Sequence, residues 1–298
     1  MPAARPATGL ALVPALLGMV RFPHTVFALP FAFAGALMAT NSVPPWSTLG
    51  WILLAMVGAR SLAMALNRLI DRRIDAANPR TAMRELPAGK LGVAEASAAV
   101  AVAAVVFGIA AWQLNPLCLL LSPLALGWVL FYSYTKRFTR WAHLVLGIGM
   151  GIAPAGGYLA VTGQWSHPWW VLPALVAAVM TWGGGFDVLY ALQDVDFDRE
   201  QGLHSLPAAI GVRNAIQVSR RLHAATVGFL AIVVSAAVGV GGAGWISYAG
   251  IVAVAGLLTY EHTLVSEEDL SRLDAAFFTM NGVISIVFFL FILVDRLV

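Results

Sequence analysis

Asn67, Asp71 and Asp75 follow one another at intervals of four, and Tyr190, Asp194 and Asp198 repeat the same spacing 123 residues further on. Side chains four apart on a helix share one face, so each trio projects together. Where two such helix ends converge, four carboxylates meet. Carboxylates near the C-terminal end of a helix oppose its dipole at a cost of about 0.3–1 kcal/mol each, so something cationic has to offset them. Magnesium suits the task, because it takes hard oxygen ligands through one or two carboxylates and leaves other positions for water and phosphate oxygens. Metal ions held by two sets of aspartates can bridge a diphosphate and neutralise the charge that develops as it leaves. Further cations for phosphate oxygens stand close by in sequence: Arg68, Arg72, Arg73, Arg80, Arg84, Lys136, Arg137 and Arg140.

The elements that position these groups are apolar helices. Sixty per cent of the 298 residues are hydrophobic and 11% charged, and the mean hydropathy is +0.81. Apolar runs near the ~20 residues needed to cross a bilayer recur throughout, which predicts an all-α, polytopic membrane protein. The runs are continuously apolar, without the period-two alternation of membrane strands. Nine helices are expected, near 22–40, 49–70, 92–112, 116–135, 141–161, 168–193, 221–241, 244–262 and 275–294. Residues 9–20 have the look of a short secretory signal, but Pro14 interrupts the core and no small-x-small cleavage site follows, so an interfacial helix is expected there.

The connections near 41–48, 112–116, 161–168 and 241–244 contain no Lys or Arg, and Arg296 is the basic residue at the C-terminal outer end. The positive-inside rule therefore places both acidic islands, 67–75 and 187–198, and the loop at 135–140 on the cytoplasmic side. The net charge of +3 is read as topology signal, not as nucleic-acid binding. Cys118, the single cysteine, excludes an internal disulfide and a cysteine metal cluster. The recurrence extends beyond the aspartates: "ELPAGKLGV" at 85–93 resembles "SLPAAIGV" at 205–212. Two related helical halves in one domain spanning 1–298 are the economical reading.

The motif "NRLIDRRIDAANPRTAMRELPAG" resembles the first motif, N-x-x-x-D-x-x-x-D, of the UbiA-type intramembrane aromatic prenyltransferases. "DVLYALQDVDFDREQGLHSLPAAIG" resembles their second, with its Y-A-x-x-D-x-x-x-D core. Many relatives carry Asn-Asp where this chain has Asn67-Arg68, so one acidic group is absent here. The resemblance, particularly to bacterial 4-hydroxybenzoate polyprenyltransferases, implies a nine-helix bundle in the bacterial inner membrane. It implies magnesium held chiefly by Asp71 and Asp194, with Asn67, Asp75 and Asp198 in support. The substrates implied are a polyprenyl diphosphate and a phenolic aromatic acid, prenylated ortho to its hydroxyl for quinone synthesis; a hydroxynaphthoate is the alternative acceptor. No obligate protein partner is implied.

Within that expectation Tyr190 presents its ring to an allylic cation. Arg21 pairs with an acceptor carboxylate, and Lys136, Arg137, Arg80 and Arg72 bind substrate. "GIGMGIAPAGG" at 147–157 has no strand beside it and is expected to serve close helix packing. His204 is read as a loop residue, and Ser266 with Asp269 as a helix N-cap. An ion-coupled transporter is the competing class, since repeats and membrane acids also mark ion pathways. Coupling acids belong near the bilayer midplane, whereas these pairs fall at predicted helix ends.

Overall fold

The computed structural model describes residues 12–20, 28–241 and 244–298. Twelve α-helices are described: α1 (Leu12–Met19), α2 (Leu29–Met38), α3 (Trp46–Ala77), α4 (Val93–Leu114), α5 (Pro116–Thr135), α6 (Ala142–Thr162), α7 (Val171–Tyr190), α8 (Val195–Glu200), α9 (Leu206–Ile210), α10 (Val212–Gly241), α11 (Trp245–Glu261) and α12 (Asn281–Leu297). No strand occurs among the described residues. Seven helices there are long and apolar enough to cross a membrane, and α2 and α11 are shorter apolar helices. Within the stretch 9–20, the described residues form the helix α1, whose Met19 packs beside Ala65 and Leu91.

Length places the first motif. At about 1.5 Å per residue, the 32 residues of α3 run about 48 Å, against roughly 30 Å of hydrocarbon. With the exposed Trp46 at one interface, the helix leaves the hydrocarbon after about 20 residues. Asn67, Asp71 and Asp75 therefore ride on the overhang. The predicted end at residue 70 is corrected to Ala77, because a helix needs no apolar side chains once it has left the lipid.

The second motif is built differently. Here α7 ends at Tyr190, a 3-10 turn covers Ala191–Asp194, and α8 begins at Val195. The single helix face expected for Asp194 and Asp198 is therefore corrected: the pair straddles a change of backbone geometry, and the two halves are not copies at this point. A π-helical turn, Ala275–Met280, precedes α12. The Asp269 amide donates to the Ser266 hydroxyl at 3.0 Å, but the segment it closes is a turn and not the N-cap of a helix.

Helices α2, α6, α7, α10, α11 and α12 contact one another in a closed circuit, with α3, α4 and α5 joined to it through α6 and α2. Phe31, Trp182 and Phe288, all buried, fill the circuit, with Trp182 4.7 Å and Phe288 5.5 Å from the Phe31 ring. The glycine-rich stretch of α6 serves packing, as its sequence suggests. A Cβ on Gly147 would stand 2.2 Å from the Met180 carbonyl oxygen of α7, and one on Gly157 would stand 2.0 Å from that of Ala32 on α2. Gly156, one residue away, faces open space. Gly157→Val is expected to cost about 3 kcal/mol or more of stability by overpacking, and Gly156→Ala nearly nothing. Thermal unfolding of the two variants in detergent checks this, and equal stability would refute the close approach.

Candidate active site

Both acidic motifs line one cavity of about 170 Å³, to which Asn67, Asp71, Asp75, Asp194 and Asp198 all contribute. Each carboxylate is met by cations or donors from a different element. Asp71, 2% exposed, receives Lys136 Nζ at 2.6 Å and Arg137 Nη2 at 2.8 Å from the end of α5. Asn67, one turn earlier, donates at 3.1 Å to Asp71 Oδ2, the oxygen that Lys136 also meets. Asp75, 4% exposed, pairs with Arg84 at 2.7 Å and Arg68 at 3.7 Å. Burying charge is tolerated only with such partners.

Asp194 is held from the other half of the chain. The Arg80 guanidinium grips both of its carboxylate oxygens, one at 2.9 Å through Nε and the other through Nη2. Asn78 donates to the same carboxylate at 3.0 Å. Arg80 also donates to the Tyr190 hydroxyl at 3.0 Å. Burial works against the Arg80 charge, but its bonds to Asp194 and that group's negative charge outweigh burial and raise its pKa. Asp198 lines the same cavity, with the Ser205 hydroxyl as a neighbour that favours its charged form.

The remaining expected residues are placed as follows. Tyr190 stacks on Phe277 with ring centroids 4.0 Å apart, and the Arg80 guanidinium carbon stands 5.2 Å from its ring centre. The cation the structure brings to this ring is therefore Arg80, which Tyr190 anchors. Arg72 is exposed and turns back to the Leu69 carbonyl at 2.8 Å. One residue past Asp71 it points about 100° around the helix, away from the cavity. Arg73 is exposed, and Arg140 lies over Trp141. His204 is an exposed loop residue. Arg21 lies outside the described residues.

Two contributors escaped sequence reasoning. Asn78 ends α3 as its C-cap and reaches Asp194 only because the chain folds back. Arg60 had a readable signal: a lone charge inside an apolar run, seven residues before Asn67 and hence on its face. Its Nε is buried without a hydrogen-bond partner among the described residues. Tyr132, which lines the cavity, is its electrostatic neighbour. A larger cavity of about 310 Å³ between α6 and α7 is lined by apolar groups such as Leu159, Leu172 and Met180 and has no group that does chemistry.

The donor set fits a divalent ion. Five residues supply hard oxygens to one cavity, and Asp75 Oδ2 is buried without a hydrogen-bond partner. Among the described residues no three His, Cys, Asp or Glu side chains converge as a closed cage, which matches an ion that leaves most of its coordination to water and phosphate. Five basic groups, Arg68, Arg80, Arg84, Lys136 and Arg137, face four carboxylates.

A helical membrane bundle with a polar cavity of paired carboxylates and arginines at the end of its spans has the makings of an intramembrane enzyme. Residues 28–289 match the UbiA prenyltransferase family. The chain belongs to that family and is a multi-pass membrane prenyltransferase. It is 28% identical over 257 residues to the 4-hydroxybenzoate octaprenyltransferase of Tolumonas auensis, covering 84% of this chain and 85% of that one. It resembles the apo structure of a UbiA homolog from Aeropyrum pernix K1 with a TM-score of 0.81 and 35% identity, over 92% of this chain and 98% of that one. A UbiA homolog from Archaeoglobus fulgidus, solved bound to DMAPP and Mg2+, superposes with a TM-score of 0.73 at 20% identity, over 95% and 99% of the two chains.

The bridge from Arg80 to Asp194 joins the two motifs. Arg80→Ala is expected to lower stability by about 2 kcal/mol, and Arg80→Lys by less, since lysine keeps the charge but not the fork. Unfolding in detergent measures both; three indistinguishable curves would show that the bridge contributes nothing.

Proposed function

We propose that this protein transfers a polyprenyl group from its diphosphate to the ring of a phenolic aromatic acid, with 4-hydroxybenzoate as the favoured acceptor, for quinone synthesis. The proposed setting is the bacterial inner membrane, with the acidic motifs on the cytoplasmic side. The observation that carries the reading is the meeting of both motifs with Arg80, Arg84 and Lys136 in one cavity, whose carboxylates Arg68 and Arg137 also pair. Printed names of relatives support the acceptor, and a fold neighbour bound to DMAPP and Mg2+ supports the donor and the metal.

Asp71, Asp75, Asp194, Asp198 and Asn67 would hold magnesium, which when bound supplies positive charge to the leaving diphosphate. Lys136, Arg137, Arg80 and Arg84 turn from the carboxylates to the phosphate oxygens. Their attraction grows as charge collects on the departing group, so they stabilise the transition state more than the ground state. The carbon–oxygen bond of the allylic donor breaks, the ring carbon ortho to the phenol hydroxyl forms the new carbon–carbon bond, and that carbon then loses its proton.

Arg60 binds the acceptor carboxylate. It sits about 10 Å along α3 from Asn67 at ~1.5 Å per residue, which leaves room for one aromatic ring between the guanidinium and the diphosphate. An arginine at hydrocarbon depth with its buried Nε lacking a hydrogen-bond partner is costly unless an anion comes to it.

Asp71→Ala and Asp194→Ala are expected to abolish transfer, by at least about 10³-fold, while leaving the protein folded. The assay is membranes with labelled polyprenyl diphosphate and a panel of phenolic and naphthoic acids, with and without EDTA. Near-normal turnover in either variant would reject the metal assignment. Arg60→Leu should raise the acceptor KM by about tenfold to a hundredfold, from loss of a charged hydrogen bond, without changing the KM for the diphosphate. An equal effect on a phenol lacking the carboxylate would remove Arg60 from the acceptor site.

A further inference from the structure

We propose that His143 is a positioning residue for the second acidic motif, acting through a strap formed by His204, Ser205 and Leu206. This rests on reading the cavity as a metal–diphosphate site. His143 lies in the first turn of α6, on none of the elements that carry an acidic motif. Its Nδ1 is 2.7 Å from Asp187 Oδ2, and its Nε2 accepts from the Leu206 amide at 3.3 Å. The acceptor role of Nε2 fixes the tautomer: the ring proton is on Nδ1 and is donated to Asp187. One buried imidazole thus ties the last turns of α7 to the start of α9.

The strap between them touches both motifs. The Leu206 amide is a helix N-terminal donor that finds no partner within its own helix, and His143 satisfies it. Ser205 caps α9 by accepting from the Ala208 amide at 3.4 Å, and its hydroxyl is an electrostatic neighbour that favours the charged form of Asp198. The His204 amide donates to the Lys136 carbonyl at 2.8 Å, and Lys136 in turn holds Asp71. Three consecutive residues therefore set where Asp198 and the ammonium beside Asp71 stand. The 3-10 break between α7 and α8 cannot fix Asp198 by helical continuity. The strap does so instead, with His143 as its root. Ligand-orienting groups behind a metal site commonly govern metal affinity by about 10–100-fold.

Two readings test this. Hydrogen exchange on the metal-free protein should show faster exchange across residues 201–210 in His143→Phe. His143→Gln, whose amide can accept from Leu206, should restore most of the protection. Binding of geranyl diphosphate titrated with Mg2+ should need about tenfold more Mg2+ in His143→Phe, with saturating Mg2+ recovering full binding. Ser205→Ala, which leaves the imidazole in place, should shift the Mg2+ midpoint in the same direction, and it carries the test together with His143→Gln if His143→Phe does not fold. Unchanged exchange across the strap, or a loosened strap with an unchanged Mg2+ midpoint, overturns the proposal. Loss of binding that saturating Mg2+ does not recover overturns it as well, since His143 would then act on the substrate itself. If the unsubstituted protein shows no Mg2+-dependent binding, the proposed function fails, and the exchange result still decides the strap.

Discussion

Carboxylates grouped at the edge of a bilayer cannot stay charged unless cations stand against them, and nearly every feature of the site answers to that constraint. Desolvation costs several kcal/mol per ion even after relaxation. Water alone cannot meet that cost for Asp71 and Asp75, which are almost fully buried. The compensating groups come from across the fold: Lys136 and Arg137 from the end of α5, and Arg84 from the loop after α3. Arg80 reaches from that same loop to the opposite motif. Charge compensation is thus also the means by which separate helix ends are registered on one cavity.

Depth follows from helix length and packing. Helix α3 is longer than the hydrocarbon is thick, so its last turns carry Asn67, Asp71 and Asp75 out to the interface. Helix α7 stops earlier, and the 3-10 turn brings Asp194 round to Arg80 and Asn78. Neither arrangement tolerates vertical slippage. The glycine contacts of α6 with α2 and α7, where no Cβ fits, hold these helices at one height. A coupled-transport reading needs acids near the midplane, and the geometry puts them at the ends of the spans.

Much of this was legible in the sequence, for identifiable reasons. In lipid a helix satisfies its own backbone, so continuous apolar runs announce helices. The four-residue spacing of Asn67, Asp71 and Asp75 announces a shared face only when the helix continues through it. It does so in α3. In the second motif the same spacing crosses a 3-10 turn that composition does not mark. Arg72 does not line the cavity beside Asp71, because consecutive side chains on a helix point about 100° apart. Arg60 was overlooked because basic residues were weighed as topology signals and not by helical position. Asn78, His143 and Ser205 act through contacts set by folding: 116 residues separate Asn78 from Asp194, and 63 separate His143 from Leu206. No local pattern encodes such pairings.

The groups that pair with one another around the cavity are those the proposed reaction would use, and this bears on how substrate would bind. Lys136 and Arg137 cannot leave Asp71 for a phosphate oxygen without exposing a buried carboxylate, at a cost comparable to breaking a buried pair, about 3–5 kcal/mol. On the proposed reading, a divalent ion held by Asp71 would supply the positive charge that this carboxylate needs once those side chains turn to a phosphate oxygen. Metal alone would meet Asp71, Asp75 and Asp194 already paired with basic groups, and diphosphate alone would meet those basic groups already paired with carboxylates. Binding of the two together would therefore be favoured over binding of either alone. The same reading would couple the two motifs, because Lys136, paired with Asp71, and Arg80, paired with Asp194, line one cavity.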